Sequence, residues 1–264
     1  MNNNSPLVSV AISSFNHEKF VKLTIDSIFN QTYKNIEVFV IDDGSSDNTP
    51  HILKELSLKY NFYLELQENK GVVNTFNRLY TMCRGKYIMP CASDDIYFPD
   101  RIEKQVLFLE KNPSISVCYS NHFLINDTGK RLKVKTNLKK NIYSFNDLYV
   151  RNKSTAMPFI RTSILNEPYY DKNFKIEDWY YLLKITQRGE MVGVIEDYLG
   201  EYRIHENNSS KKLNFMFEEK LKLVKYFRPK SNFLYFRSLF NVYTHFWFHK
   251  IYSLMPFDLG FKRK

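Results

Sequence analysis

The chain has 264 residues, which suits one α/β domain with a smaller appendage but is too short for two full-sized domains. Its composition, 44% hydrophobic and 25% charged, excludes a wholly disordered, collagen-like or solenoid chain. No unbroken apolar run reaches the ~20 residues that a membrane span needs, and the polar N-terminus lacks a secretory signal pattern. Three cysteines without metal-like spacing predict reduced core residues. We therefore expect a cytoplasmic protein.

The net charge of +10 is unevenly distributed along the chain. After residue 210 there are twelve Lys or Arg residues against three acidic ones, so the first 210 residues are close to neutral. We therefore expect a globular domain over residues 1–210 and a basic tail over residues 211–264 that needs its own explanation.

Apolar runs alternate with helical periods over the first hundred residues. Strands are predicted over Leu7–Ser13, Glu37–Ile41, Tyr63–Leu66 and Tyr87–Met89, and helices over Glu18–Asn30, Thr49–Leu58 and Asn74–Cys83. This alternation predicts a Rossmann-like α/β fold, with a mostly parallel central sheet and flanking helices. Ligands of such sheets bind at the carboxyl ends of the strands, where Asp42–Asp43 and Asp94–Asp95 both fall.

The pattern is less regular in the second half of the chain. A helix is predicted over Pro99–Lys111 and a strand over Ile115–Tyr119, followed by a hairpin or a mobile loop over residues 127–155. Apolar residues then recur at helical spacing over Glu177–Arg188 and over Lys212–Phe227, where the opposite face carries lysines.

Several enzyme classes lose support because their motifs are missing. No G-x-G-x-x-G follows the first strand, and the chain has neither a P-loop nor a G-x-S-x-G elbow. Its six histidines are scattered. Dinucleotide-dependent redox chemistry, P-loop phosphoryl transfer, hydrolase triads and histidine-rich zinc sites are therefore not indicated.

The remaining candidates for chemistry are carboxylates at strand ends. Asp94 and Asp95 would repel each other unless a cation or hydrogen bonds compensated their charge. A divalent ion that also binds a substrate diphosphate is the natural partner, although a solvated turn with a helix-capping Asp explains the same residues. The stretch Asp42–Asp47 has the same two interpretations, as a plain turn or as an acceptor for a base or ribose.

Five ordered sequence blocks over about residues 6–210 resemble glycosyltransferase family 2, an inverting family with the GT-A fold. These blocks are VSVAISSFNHEKFVKLTIDSIFNQTYKNIEVFVIDDGSSDNT, ENKGVVNTFNR, RGKYIMPCASDDIYFPDR, KIEDWYYLLKI and YRIHENNSS. The resemblance implies a nucleoside-diphosphate-sugar donor, with a UDP-sugar expected, a Mn²⁺ or Mg²⁺ cofactor and transfer with inversion. It departs from many members at Ala92, where they have an Asp, which leaves open whether Asp94 or Asp95 holds the metal.

The resemblance also implies roles for individual residues. Those matching nucleotide-sugar-binding positions are Ser13, Phe15, Asp43, Lys70, Gly71, Asn77, Asp94 and Arg203. Those matching metal-binding positions are Asp95, Asp94 and His205. Asp178 aligns with the catalytic base, beside Glu177 in the same block.

The chemistry of the side chains agrees with this division. An inverting transfer needs a carboxylate to deprotonate the acceptor hydroxyl and positive charge on the departing diphosphate, which Asp178 and Asp95 could supply. A helix N-terminus also explains the pair Glu177–Asp178, because the helix dipole favours acidic residues there. A structural hydrogen bond likewise explains His205 without metal or phosphate contact.

Aromatic and basic residues are interleaved over Asn232–Phe257 in the tail. Such a segment is typical of an anionic membrane surface, with rings at headgroup depth and cations against the lipid. A helical subdomain packed on the core, or an oligomer interface, is the alternative. With the resemblance, the tail predicts an enzyme on the cytoplasmic face of the inner membrane that adds sugars to a saccharide or lipid-linked acceptor, for a surface polysaccharide, capsule, O-antigen or lipooligosaccharide.

Two rival functions are open to test. A nucleotidyltransferase on a similar scaffold would need a Gly- and Arg-rich phosphate loop after the first strand, and Ser13–Asn16 does not supply one. A basic nucleic-acid-binding protein would carry its charge along a groove of the folded domain rather than in an aromatic tail. We therefore expect no nucleic-acid partner.

Overall fold

A computed structural model describes residues 5–136, 138, 142–152, 157–165, 170–204 and 213–254, with the backbone alone at 133–135 and 251–254. The strands are β1 Val8–Ser14, β2 Ile36–Asp42, β3 Tyr63–Leu66, β4 Tyr87–Ala92, β5 Ile96–Tyr97, β6 Ile115–Ile125, β7 Arg131–Lys135, β8 Ile142–Tyr143, β9 Phe159–Arg161 and β10 Met191–Arg203. The helices are α1 Val21–Phe29, α2 Thr49–Tyr60, α3 Val72–Met82, α4 Arg101–Lys111, α5 Phe145–Val150, α6 Glu177–Gln187, α7 Leu213–Tyr226 and α8 Asn232–Leu254, with one 3-10 turn at Thr162–Ile164.

These strands form one mixed sheet in the order β3-β2-β1-β4-β9-β6-β10-β5, with β7 beside β6 and β8 beside β10. The six strands β1, β2, β3, β4, β6 and β10 run in one direction, and β5, β7, β8 and β9 run against them. The predicted α/β architecture with a mostly parallel central sheet is therefore confirmed. The crossovers place the ends of β1, β2 and β4 side by side at one edge of the sheet.

Alternate residues of the strands face two separate hydrophobic cores. On β1, Val8, Val10 and Ile12 face the core built with α1, α2 and α4, whereas Ala11 faces the core built with α3 and α5 to α8. The near-continuous apolar sequence of β1 follows from this burial on both faces, which is usual for a central parallel strand.

The region predicted as a hairpin or mobile loop contains both a hairpin and a helix. Strand β7 pairs antiparallel with β6, as a hairpin requires, and α5 follows as an unpredicted short helix. A capping box starts α5, because the Ser144 side chain and the Asp147 side chain satisfy each other's backbone N–H groups. Strands β9 and β10 were also not predicted, while β6 extends six residues beyond its predicted end.

Helices α7 and α8 of the basic tail pack against α5. The Tyr149 hydroxyl donates to Val224 O at 2.6 Å, and the Ser238 hydroxyl donates to Tyr149 O at 2.8 Å, both in buried positions. Leu223 and Val242 belong to the same core as α6. This contact matches the alternative interpretation of the tail as a helical part packed on the core, while the division into domains at residue 210 stays a prediction.

One face of α8 packs inward and the opposite face carries an exposed aromatic stripe. The inward face includes Ser238 and Val242, which are buried. The stripe consists of side chains at helical spacing that are between 46% and 76% exposed: Phe233, Phe236, Phe240, Tyr243 and Trp247. Among the described helices, none combines the length and the apolar character needed to cross a bilayer.

The loop after β2 should be destabilised by any side chain at Gly44. Its φ is +77° and a Cβ there would lie 2.6 Å from Asn69 N, so Gly44→Ala combines backbone strain with a backbone clash. We expect Gly44→Ala to lower the free energy of unfolding by roughly 2–4 kcal/mol in urea titrations. Gly129, with φ +83° and open space, is the matched control, and Gly129→Ala should cost only about 1 kcal/mol. Equal losses would contradict the close approach of Gly44 to Asn69.

Candidate functional site

The loops that follow β1 and β2 are tied together at the carboxyl edge of the sheet. Ser45 Oγ accepts from Asn16 N at 2.8 Å, and Asn16 Oδ1 accepts from Ser46 N at the same distance. Asn16 has a φ of 54°, a conformation that Asn tolerates better than most residues. Beside it, Phe15 is 43% exposed, and the Ser14 hydroxyl is buried without a hydrogen-bond partner among the described residues.

Asp43 connects the end of β2 to the start of α3. Its carboxylate accepts hydrogen bonds from Lys70 N at 2.8 Å, Gly71 N at 2.9 Å and Gln67 Nε2 at 2.7 Å. The side chain is 3% exposed. Asp43 therefore fixes the backbone that begins α3, and any hydrogen bond to a nucleobase would add to three that already exist.

The carboxylates of Asp94 and Asp95 are buried directly after β4. Asp95 Oδ1 accepts from Arg203 N at 2.9 Å, and Arg203 Nε donates to Asp94 O at 2.8 Å. The Arg203 guanidinium is itself buried over the Phe20 ring, 4.4 Å from its centroid, and also donates to Asn126 O. Arg203 thus holds the turn that presents the two acids.

His17, which the sequence did not single out, also reaches this turn. Its Nδ1 lies 2.8 Å from Ser93 Oγ, and its Nε2 lies 3.9 Å from Asp94 Oδ2. The loop after β1 therefore contributes an ionisable group beside the acidic pair.

The electrostatics of the pair favour a cation. Burial, and then the adjacent charge of Asp94, raise the pKa of Asp95 well above its usual range, and Arg101 and Arg203 oppose that rise only in part. Two crowded carboxylates suit Mn²⁺ or Mg²⁺ when substrate phosphates supply further ligands. Among the described residues, no cluster of three or more His, Cys, Asp or Glu side chains could hold a metal ion unaided. His205 lies outside the described residues.

Glu177 and Asp178 occupy the first turn of α6. The next residue, Trp179, is buried and its Nε1 donates to Leu148 O at 2.8 Å, which anchors the start of the helix. Burial, and then the charge of Asp178, raise the pKa of Glu177 to about 7. Near neutral pH, Glu177 is therefore partly protonated beside Asp178.

Asn77, on α3, connects this helix to the segment that precedes the acidic pair. Its amide exchanges two hydrogen bonds of 3.0 Å with the backbone N and O of Tyr170. The Asp178 and Glu177 carboxylates in turn lie close enough to Tyr170 to raise the pKa of its hydroxyl, after the larger effect of burial. Helix α3 is thus fixed at its start by Asp43 and at its middle by the segment that precedes α6.

The predicted site residues fall into two contact groups. One group joins Asp43 with Lys70 and Gly71, and a second joins Asp94 and Asp95 with Arg203. Ser13 lies near the end of β1 and Phe15 directly follows that strand, while Asn77 connects to the segment before Glu177 and Asp178. Gln67 was not predicted, although it follows β3 in the same way as Asp43 follows β2. His17 was not predicted either, because a lone histidine gives no signal in the sequence.

Curated relatives of the chain are glycosyltransferases. An uncharacterised glycosyltransferase of Methanocaldococcus jannaschii is 28% identical over 96% of this chain and 88% of its own length. An uncharacterised glycosyltransferase of Haemophilus influenzae is 32% identical over 84% of this chain and 73% of its own. Chondroitin synthase of Escherichia coli is 29% identical over 83% of this chain, which spans 32% of that protein.

Solved structures share the fold. Staphylococcus aureus TarS 1–349 in complex with UDP-GlcNAc superposes with a TM-score of 0.66 and 16% identity, over 83% of this chain and 65% of that one. The mannosyltransferase PcManGT of Pyrobaculum calidifontis, in complex with GDP-Man and Mn²⁺, gives a TM-score of 0.67 and 15% identity over 96% of this chain and 73% of that one. The family model for glycosyl transferase family 2 matches residues 9–174, and this match, on a GT-A fold with its acids at the strand ends, shows that the chain belongs to glycosyltransferase family 2.

Proposed function

We propose that the protein is a metal-dependent inverting glycosyltransferase that moves a sugar, of the hexosyl or N-acetylhexosaminyl class, from a nucleoside-diphosphate-sugar to a saccharide or lipid-linked acceptor. A UDP-sugar is the donor we favour, and a surface polysaccharide, capsule, O-antigen or lipooligosaccharide is the product. The names of two similar proteins support this choice, because TarS is in complex with UDP-GlcNAc and chondroitin synthase is named for a polysaccharide.

One observation carries the proposal. A buried acidic pair after β4 lies at the same carboxyl edge of the sheet as Asp43, which follows β2 and is held in place by hydrogen bonds. Asp94 and Asp95 are 5% and 1% exposed, and Arg203 holds their turn through bonds to Asp95 Oδ1 and to Asp94 O. Keeping two acids together in a buried turn costs stability. That cost is understandable if the turn binds a charged ligand.

In the proposed reaction, the bond between the anomeric carbon of the sugar and the diphosphate oxygen breaks as the acceptor oxygen attacks from the opposite face. The Asp178 carboxylate takes the proton of the attacking hydroxyl. The first turn of α6 favours the ionised form of this carboxylate, since the helix dipole stabilises negative charge there. Burial and the charge of Asp178 raise the pKa of Glu177, which favours its protonated form beside the proposed base.

The leaving diphosphate needs compensation for its developing charge. Asp95 with Asp94 would hold Mn²⁺ or Mg²⁺, which supplies positive charge to the diphosphate when it is bound. Arg203 is a positioning residue in this scheme, because its guanidinium donates to main-chain carbonyls. Ser13, Phe15 and the Lys70–Gly71 turn would surround the nucleotide.

Replacing the base should separate chemistry from donor binding. Asp178→Asn keeps the size of the side chain and its contact with Trp179 N but cannot take a proton. We expect kcat to fall ~10²-fold or more in a transfer assay, with the Kd of the donor nearly unchanged. Glu177→Gln is the matched control one residue away and should cost much less. Close to full turnover by Asp178→Asn, or a product that retains the donor's anomeric configuration, would overturn the assignment.

Metal and nucleotide should bind cooperatively at the acidic turn. We expect UDP or a UDP-sugar to bind more tightly with Mn²⁺ or Mg²⁺ in calorimetric titrations, and Asp95→Ala to abolish that gain. Asp43→Ala should weaken nucleotide binding with and without metal, because it frees the backbone of Lys70 and Gly71. A panel of UDP- and GDP-sugars identifies the donor. If both variants bind nucleotide like the parent protein, the donor site lies elsewhere.

We further propose that the aromatic stripe of α8 docks on the anionic cytoplasmic face of the membrane. The stripe presents five exposed rings on the side of the helix away from the core, and Lys250 Nζ lies 5.2 Å from the Trp247 ring centroid. Aromatic rings flanked by cations are typical of the headgroup region.

Polar substitution of the stripe should release the protein from vesicles without unfolding it. We expect the combined variant Phe236→Ser, Phe240→Ser and Trp247→Ser to lower partitioning onto anionic vesicles at least tenfold, while the melting temperature stays close to that of the parent. Leu58→Ser is the control, because Leu58 on α2 is 88% exposed and lies outside the tail. Unchanged partitioning of the combined variant would rule out this docking face.

A further inference from the structure

A cavity of about 500 Å³ lies where α5, α6, α7 and α8 meet. Its walls include Arg151 after α5, Trp179 of α6, Lys220 of α7, and His245 and Phe248 of α8. Its volume is in the usual range for a small-molecule site. Trp179 directly follows Asp178, so the cavity begins beside the proposed catalytic base.

The ionisable side chains of this cavity are basic, beside the neutral polar Asn152, Asn241 and Thr244, and no acidic residue is among its described lining residues. Neither Arg151 nor Lys220 forms an ion pair with any described acidic side chain. Burial, and then the charge of Arg151, lower the pKa of Lys220, while Asp178 raises it, which places the base beside this ammonium group. Burial, and then Lys220, His249 and Arg151, lower the pKa of His245 to about 4. The positive charges of Arg151 and Lys220 thus face one space that an anion would stabilise, and His245 can offer it a neutral ring N–H.

A second cavity of about 430 Å³ continues from the first between α7 and α8. Both cavities share Lys220, Val242 and His245 as lining residues. Beyond them the walls are mostly apolar, with Leu213, Met216, Phe217 and Phe246, and His249 is the one further polar residue among the described lining residues. The combined space therefore has a cationic part near Asp178 and an apolar part that leads away from it.

We infer that this composite cavity binds the lipid phosphate of a lipid-linked saccharide acceptor: the phosphate against Arg151, Lys220 and His245, and the hydrocarbon chain between α7 and α8. The inference rests on the proposed function, since it names the acceptor class for the base Asp178. A phosphate suits the site, because each phosphate in a link between lipid and saccharide carries one negative charge and accepting oxygens, and two basic side chains line the cavity. An apolar continuation fits a chain and does not fit more saccharide.

The cavity is separate from the proposed donor site. None of its lining residues comes from the loops after β1, β2 or β4 that carry Asp43, Asp94 and Asp95. Two phosphate-binding regions would then lie on either side of the reacting atoms, one for the donor diphosphate and one for the acceptor.

The chain offers a built-in reporter for the test. It has two tryptophans, Trp179 and Trp247. The variant Trp247→Phe leaves Trp179, in the cavity wall, as the sole tryptophan of the chain. Farnesyl phosphate below its critical micelle concentration is the probe, with farnesol and inorganic phosphate as the two partial probes.

We expect farnesyl phosphate to change Trp179 fluorescence with a Kd at least tenfold below that of farnesol or inorganic phosphate. Arg151→Gln and Lys220→Gln should each weaken binding of farnesyl phosphate about tenfold, and Met216→Gln should weaken it without changing the response to inorganic phosphate. Lys225→Gln is the matched control, because Lys225 is exposed on the same helix outside the cavity.

In turnover assays, Arg151→Gln should raise KM about tenfold for a prenyl-phosphate-linked saccharide and leave KM for the free saccharide unchanged. Circular dichroism and melting curves establish that each variant is folded.

Inorganic phosphate binding as tightly as farnesyl phosphate would overturn the lipid assignment, and equal affinity of farnesol would overturn the phosphate assignment. Unchanged affinity in both Arg151→Gln and Lys220→Gln would overturn the site. A nucleotide titration of the same samples separates the two proposals: nucleotide binding without farnesyl phosphate binding refutes only this inference. Farnesyl phosphate binding without any nucleotide binding refutes the proposed function instead.

Discussion

Two adjacent carboxylates buried at the end of β4 set the strongest constraint on this fold. A buried charge is costly unless opposite charge or hydrogen bonds compensate it. Arg203 donates to both residues of the pair, Thr24 Oγ1 donates to Asp95 O at 2.7 Å, and the charge of Arg101 also acts on Asp95. Elements from the first, middle and last parts of the domain therefore meet at one turn. The hydrogen bonds and opposite charges that compensate the two acids also help to hold these elements in place.

The rest of the site is arranged around α3 and α6 on one face of the sheet. Asp43 fixes the start of α3, and Asn77 ties the middle of that helix to the backbone of Tyr170, close to Asp178. The proposed donor site and the proposed base are thus connected through a helix rather than through a loop. The tail helices pack on the same face, so a cavity beside the base and a candidate membrane surface belong to one structural unit.

Much of this arrangement could be predicted, because strand periodicity and strand-end acids are local features. The alternation from β1 to β4 follows from apolar runs separated by helical periods. Strand β10 escaped prediction because exposed Glu196 and Asp197 interrupt its apolar sequence where its register with β6 shifts. The contacts of Arg203 and Asn77 were also out of reach, since both residues bond to backbone that is distant in sequence, and no local pattern records such a partner.

The bond between Arg203 and Asp95 joins residues 108 positions apart. Non-local contacts of this kind form late, because a long loop must close before they give any stability. During synthesis the N-terminal strands emerge first, yet the acidic turn lacks its bonds from Arg203 until β10 has been added to the sheet. Unfinished chains would therefore carry the residues of the proposed donor site without the contacts that complete its acidic turn, and these contacts would form only when β10 joins the sheet.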